Sequence, residues 1–235
     1  MKERGILMSE PMAVALLRGA KTETRRIVKG AWHEPGGYLQ SDPQGEDDGT
    51  WYFGCAGVPA SFIAHFPYGN IGDILYVKET HWRFGHWVRN GKTKSGRQAW
   101  RFQADYPPNL KCSVIFCAGC NEPPDAPPPR GMARPGWWKR PGIFLPKCYA
   151  RIRLEVTGRG CERVQDITEE SALAEGTTWP DRDGQPYRPP IDTPGMSGLR
   201  LAAERYFTLF EKINGAGAAA NNPFVWVIRF RRVEQ

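Results

Sequence analysis

Proline and glycine set the first limit on this chain. Its 235 residues include 21 prolines and 26 glycines. Proline removes a backbone donor and glycine weakens the interior of helix and strand alike. Regular elements must therefore be short, with long irregular connections around a smaller ordered framework. Between the breakers the dominant signal is of period two. Tyr149, Arg151, Arg153 and Glu155 alternate with Ala150, Ile152, Leu154 and Val156, the pattern of a half-buried strand. After Pro223, Phe224, Trp226, Ile228 and Phe230 alternate with Val225, Val227, Arg229 and Arg231. Further strands are expected at Gly5–Met8, Thr24–Lys29, Ile74–Glu79 after a turn at Gly72-Asp73, Ala99–Phe102 and Ser113–Phe116.

Helical signals are fewer. Ser9 can cap a helix with Glu10 and Pro11 in its first turn. Met12, Ala13, Leu16 and Leu17 form its apolar face, and Gly19 is its natural stop. Thr168 caps a second helix, opened by Glu169 and Glu170 and closed by Gly176. The third runs from Leu199 to Ile213, with Leu199, Ala203, Tyr206, Phe207, Phe210 and Ile213 as its stripe. Strands that follow one another without regular intervening helices argue against a doubly wound α/β sheet. The expected class is α+β: one domain over residues 1–235, built as a small mixed β-barrel with helices packed outside. Two long irregular insertions fall at about 30–70 and 83–135.

Composition excludes several functions. Hydrophobic residues are 40% and charged residues 24%, as in a globular chain rather than a disordered one. No stretch approaches the roughly 18 apolar residues of a membrane span, and the N-terminus lacks a signal pattern. Six cysteines in this length do not make a secreted disulfide scaffold. The expectation is a cytoplasmic, soluble protein. A net charge of +7 mildly favours anionic partners.

The densest polar stretch is Gly19-Ala20-Lys21-Thr22-Glu23-Thr24-Arg25-Arg26, a turn leading into a strand. In an extended strand Thr24, Arg26 and Val28 share one face, and Glu23, Arg25 and Ile27 the other. Lys21 precedes the strand, so its side chain can fold back toward Thr24. By composition alone this is a solvated basic turn.

Taken in order, that turn, Gly72-Asp73-Ile74-Leu75-Tyr76-Val77-Lys78-Glu79, Ile152–Val156, Ile167–Gly176 and Trp226–Phe230 resemble the ASCH domain, a relative of the PUA fold, in its long phage and prophage form. The resemblance covers about half the chain and leaves out both insertions. It implies a PUA-like β-barrel with a cleft flanked by helices, and a link to RNA or nucleosides. A small branch of the family hydrolyses N4-acetylcytidine with a Lys and a Thr of the Gly-x-Lys-Thr-x-Thr turn and a Glu near the end of the later helix. Matched residue by residue, these are Lys21, Thr24 and Glu175. The chain departs from that branch in its insertions and in Arg25-Arg26, where the small enzymes have one arginine.

The resemblance implies an amidohydrolase acting on N4-acylated cytosine nucleosides or bases. Thr24 would be the nucleophile, Lys21 its base and Glu175 the acid or orienting group. Arg26 is the expected anion contact, with Glu79 and Trp138 as further substrate-binding candidates. The alternative is a non-catalytic module that binds RNA or a modified nucleobase in the same cleft. The expected partner is thus a small nucleoside or nucleobase substrate, with RNA as the second candidate and no membrane. No cofactor is required. Cys112, Cys117 and Cys120 resemble half a structural zinc site, with free thiols as the other reading. Trp137-Trp138-Lys139-Arg140 interleaves rings with cations. That pattern can stack bases and meet phosphates, or hold one core tryptophan beside a solvated basic edge. The four histidines show no metal-ligand spacing.

Overall fold

The computed structural model describes residues 1–30, 44–53, 62–106, 114–118, 127–130, 132, 134–177 and 201–233. Among them twelve strands and three α-helices form, in an α+β chain dominated by strands. The chain makes two compact units. One comprises Met1–Arg4, Ala15–Tyr76 and Ile152–Gln235, the other Gly5–Val14 and Val77–Arg151.

The longest sheet has five strands: β1 (Glu3–Leu7), β6 (Ile74–Lys78), β11 (Arg153–Arg163), β12 (Phe224–Val233) and β2 (Glu23–Ile27), in that spatial order. In the first unit β12 is an interior strand, antiparallel to both β11 and β2. Its Phe224, Val225, Trp226, Val227 and Ile228 are all buried, so both faces of the sheet are covered there. On one face lie α2 (Glu169–Ala174) and α3 (Leu201–Asn214). Val164, Ile167, Ala172, Ala203, Tyr206 and Phe210 pack with Val225. On the other face is a small sheet of β3 (Gln44–Gly45), β4 (Thr50–Phe53) and β5 (Phe62–His65). Here Trp226 meets Trp51, Phe53 and Phe66 edge-on, at 5.8, 6.2 and 5.5 Å between ring centroids.

The expected barrel is therefore corrected: the described sheets do not close. β1 and β2 are the two edges of the five-stranded sheet, and each, like β6, has only five residues. A barrel needs strands long enough to stagger and tilt around an axis. Here burial comes from layers on both faces instead. The stretch at 30–70 was expected to hold little regular structure, yet Thr50-Trp51-Tyr52-Phe53 pairs with Phe62–His65. Its rings are good strand formers, diluted in sequence by the Gly, Pro and acid around them.

A bulge decides one feature of the site. In β11 the register shifts between Val156 and Gly158. Val156 pairs with Phe230, whereas Gly158, Gly160 and Glu162 pair with Arg229, Val227 and Val225. The extra residue moves the even-numbered positions to the opposite face. Glu162 therefore comes to lie on the α2 and α3 face, the side of β2 that carries Arg25.

In the second unit, β7 (His81–Lys92) pairs with β8 (Gln98–Ala104), β9 (Val114–Phe116) and β10 (Gly136–Arg140). The expectation of irregular chain at 83–135 holds only in part, since β7 runs twelve residues. Trp137 is buried against Phe84, with centroids 5.3 Å apart. Trp138, one residue on, belongs to the other face.

Candidate functional site

Gly19 ends α1 (Glu10–Leu17) with a left-handed φ of +73°. The turn that follows is docked at both sides. Thr22 N–H donates to Ala174 O at 2.8 Å, and Phe230 N–H donates to Thr22 O at 3.0 Å. This carries Lys21 to the C-terminal end of α2. There its ammonium donates to Glu175 O at 2.8 Å and to Glu175 Oε2 at 2.6 Å.

Glu175 sits at the C-cap of α2, and Gly176 adopts φ +80° immediately after it. That conformation suits glycine. A Cβ at 176 would lie 3.1 Å from Ala15 Cβ and 3.2 Å from Lys21 Cβ, so glycine is also required for the close approach. A carboxylate at the negative end of a helix is unfavourable by itself. Lys21 offsets it and caps a terminal carbonyl at the same time.

The network extends through β2. Arg25 Nη1 donates to Glu175 Oε1 at 3.4 Å and to Glu23 Oε2 at 3.2 Å, and Arg25 Nε donates to Glu162 Oε1 at 2.7 Å. Arg229 Nε donates to Glu23 Oε1 at 2.5 Å. Three cations thus meet three carboxylates. The side chains of Lys21 and Arg25 are each only 1% exposed and that of Glu175 5%. Burial pushes the Lys21 amine below its ordinary value. Glu175 opposes that shift, while Arg26 and Arg25 add to it. Tyr206 stands beside the network, with Arg25 Cζ 5.8 Å from its ring centroid. Burial raises its phenol well above the usual range, and Glu175 adds to the rise. Neither Tyr206 Oη nor Arg25 Nη2 finds a hydrogen-bond partner among the described residues.

Thr24 is 2% exposed and pairs with Ile228 in the β2–β12 register. It follows Glu23 and precedes Arg25, so strand alternation sends its side chain to the opposite face from theirs. Lys21 has folded onto Glu175, and no hydrogen bond joins it to Thr24 among the described residues. An ammonium has three donors, and two of those of Lys21 are engaged. Arg26 is half-buried on the Thr24 face, opposite Trp226. Beyond it a cavity of about 450 Å³ is lined by Ile27, Val28, Lys29, His65, Tyr68 and Trp226, among others.

The structure thus brings Lys21, Thr24, Arg26 and Glu175 into one unit and directly joins Lys21 to Glu175. Glu79 and Trp138 belong to the second unit. Glu79 is fully buried, and its two carboxylate oxygens accept from Arg151 Nε and Nη2 at 2.9 Å each. Trp138 Nε1 donates to Gly85 O at 3.1 Å. Cys112 and Cys120 lie outside the described residues, and Cys117 is half-buried. Among the described residues no group of three or more His, Cys, Asp and Glu could hold a metal ion, and no helix is long and apolar enough to cross a membrane.

Composition reads the stretch holding Glu23 and Arg25 as a solvated basic turn, whereas both side chains are buried in this network, which also takes in Glu162 and Tyr206. The i, i+2 spacing of Glu23 and Arg25 was the available signal. Glu162 could be placed only with knowledge of the bulge. No protein-family model, no curated protein and no solved structure matches this chain.

Proposed function

We propose that this protein is an amidohydrolase that removes acyl groups from N4-acylated cytosine nucleosides or bases. The observation that carries the reading is the buried Lys21–Glu175 pair, 2.6 Å apart, at the foot of the strand that holds Thr24. A surface lysine is fully charged at neutral pH and is no base. Burial of Lys21 lowers the cost of its neutral form.

In the proposed reaction the Thr24 hydroxyl attacks the acyl carbon and passes its proton to the neutral Lys21 amine. The new C–O bond turns the carbonyl into an oxyanion, which Arg26 stabilises from the Thr24 face. Collapse breaks the bond to N4. The proton returns through Lys21 and Glu175 to the leaving amine, an exocyclic nitrogen stabilised by the pyrimidine ring. Water then hydrolyses the threonyl ester with Lys21 again as base, and releases the carboxylic acid. Because Thr24 faces away from the Arg25–Glu175 side of β2, this step requires Lys21 to leave Glu175 and swing round the start of the strand when substrate binds.

The test is release of cytidine from N4-acetylcytidine, followed by absorbance. Wild type is expected to turn over, while Thr24→Ala loses at least about 10³-fold with its thermal transition retained. No turnover by wild type, or equal turnover by Thr24→Ala, refutes the reading.

A further inference from the structure

The second unit contains a cavity of about 580 Å³ that the proposed hydrolysis does not use. It is lined by His81, Arg83, Trp87, Trp100, Phe102 and Arg140, among others. The register explains the lining. Arg140 pairs with His81, Trp87 with Phe102, and Arg89 with Trp100. Alternation then gathers His81, Arg83, Trp87, Trp100, Phe102, Trp138 and Arg140 on one face of the sheet.

That face is unusual in its charge. Among the described residues no carboxylate lines the cavity. Arg140 is held by rings, with Cζ 4.8 Å from the Trp87 centroid, 4.7 Å from Phe102 and 4.3 Å from Phe144. Arg130 approaches the same Trp87 ring at 4.9 Å. Arg83, Arg130 and Arg140 have no ion pair with any carboxylate among the described residues. Arg83 Nη1 and Trp87 Nε1 are buried donors without an acceptor there, each an unfavourable state that an incoming acceptor would relieve. Trp100 is half-buried, and no ring or cation is stacked on it among the described residues. Among the described residues the walls therefore offer donors, positive charge and an open indole, with no carboxylate.

We propose that this cavity binds a nucleobase together with its phosphate. The base stacks on Trp100, and the phosphate is met by Arg140 and Arg83. A phosphate matches the guanidinium fork and brings more charge than a single carboxylate. The volume is of the size that encloses small ligands. The same chemistry is offered by a free nucleoside monophosphate and by one nucleotide of a single strand. This site is separate from the Lys21–Thr24–Glu175 group in sequence and in unit.

The experiment is quenching of tryptophan fluorescence on titration with AMP, CMP, adenosine, inorganic phosphate, benzoate and a single-stranded hexanucleotide. The mononucleotides are expected to bind at least about tenfold tighter than adenosine or phosphate alone. Trp100→Ala and Arg140→Gln are each expected to weaken binding about tenfold or more, the scale of one stacked base. Arg83→Lys, which keeps the charge and loses the fork, weakens it less than Arg140→Gln. Thermal transitions of all variants report folding, and Trp100→Ala, at a half-exposed strand position, is the variant that keeps the fold if Arg140→Gln does not. A hexanucleotide at least about tenfold tighter than the mononucleotides, with a steep salt dependence, identifies a strand as the source; the reverse order identifies free nucleotide. Lack of binding by both, binding indifferent to Trp100→Ala in a folded variant, or benzoate bound as tightly as AMP overturns the proposal. Repeating the titration on Thr24→Ala separates this outcome from that of the hydrolase test.

Discussion

Replacing Glu175 by glutamine removes the one carboxylate that both Lys21 and Arg25 contact, and the cost can be divided between them. Arg25 keeps Glu162 at 2.7 Å and Glu23 at 3.2 Å. It loses only a 3.4 Å contact, about 1 kcal/mol that does not vary with pH because arginine cannot lose its proton. Lys21 is different. With its partner gone, its side chain remains 1% exposed, and breaking a buried pair typically costs about 3–5 kcal/mol. The lysine can escape by deprotonating. At pH 7 that escape costs about 4.6 kcal/mol, from roughly 1.36 kcal/mol per unit over the ~3.4 units to an ordinary lysine pKa. At pH 9 it costs only about 1.9 kcal/mol by the same arithmetic. Glu175→Gln should therefore lose about 4–6 kcal/mol at pH 7 and about 3 kcal/mol at pH 9, as the lysine and arginine shares together. Urea unfolding followed by tryptophan fluorescence reads this as a midpoint drop of about 2–3 M at pH 7, for a slope of about 2 kcal/mol/M. The double variant Lys21→Met, Glu175→Gln should recover most of the loss, since an apolar pair can replace a buried ionic one. An equal loss at pH 7 and pH 9 would show that Lys21 is not a buried charge held by Glu175.

Three further outcomes follow from the same geometry. Wild-type stability should rise with pH as Lys21 titrates, up to about pH 10, because its folded-state pKa is lowered and the unfolded chain binds the extra proton; transition temperatures at pH 7.5 and 9.5 check this, and Lys21→Met should flatten the rise. Gly176→Ala introduces a Cβ at φ +80° against Ala15 and Lys21; it should cost about 1–3 kcal/mol and lower turnover of N4-acetylcytidine by more than its loss of folded protein explains. Arg151→Met leaves the fully buried Glu79 without its two donors; thermal unfolding should report a loss of about 3–5 kcal/mol.

The elements with clean periodicity were legible in sequence. The final strand was read at Phe224 and found there, and Thr168 caps its helix by accepting from Ser171 N–H at 3.2 Å. The face assignment in β2 also agrees with the contacts: Glu23 and Arg25 share a carboxylate–guanidinium bond. Local rules fail where a side chain serves a distant element. Glu169 was read as support for its own helix, but its two oxygens accept from Ala202 and Ala203 N–H and so cap α3. The sequence alternation is read only as far as Val156, yet β11 continues through Gly158 and Gly160 to Arg163. One inserted residue there decides that Glu162 meets Arg25, and no pairwise spacing in sequence encodes a bulge. Layer packing was misread as barrel closure because both predict alternating strands.

The place of β2 in the sheet has a consequence for biosynthesis. Among the described strands its only partner is β12, and the Glu23–Arg229 bond spans 206 residues. At about 5–20 residues per second a ribosome needs about 10–40 s to cover that distance. Throughout that interval Glu23, Thr24 and Arg25 have no strand to pair with. Thr24 and its neighbours in β2 are therefore made long before the strand that holds them in place. The site proposed for hydrolysis is incomplete in a nascent chain until β12 has been delivered.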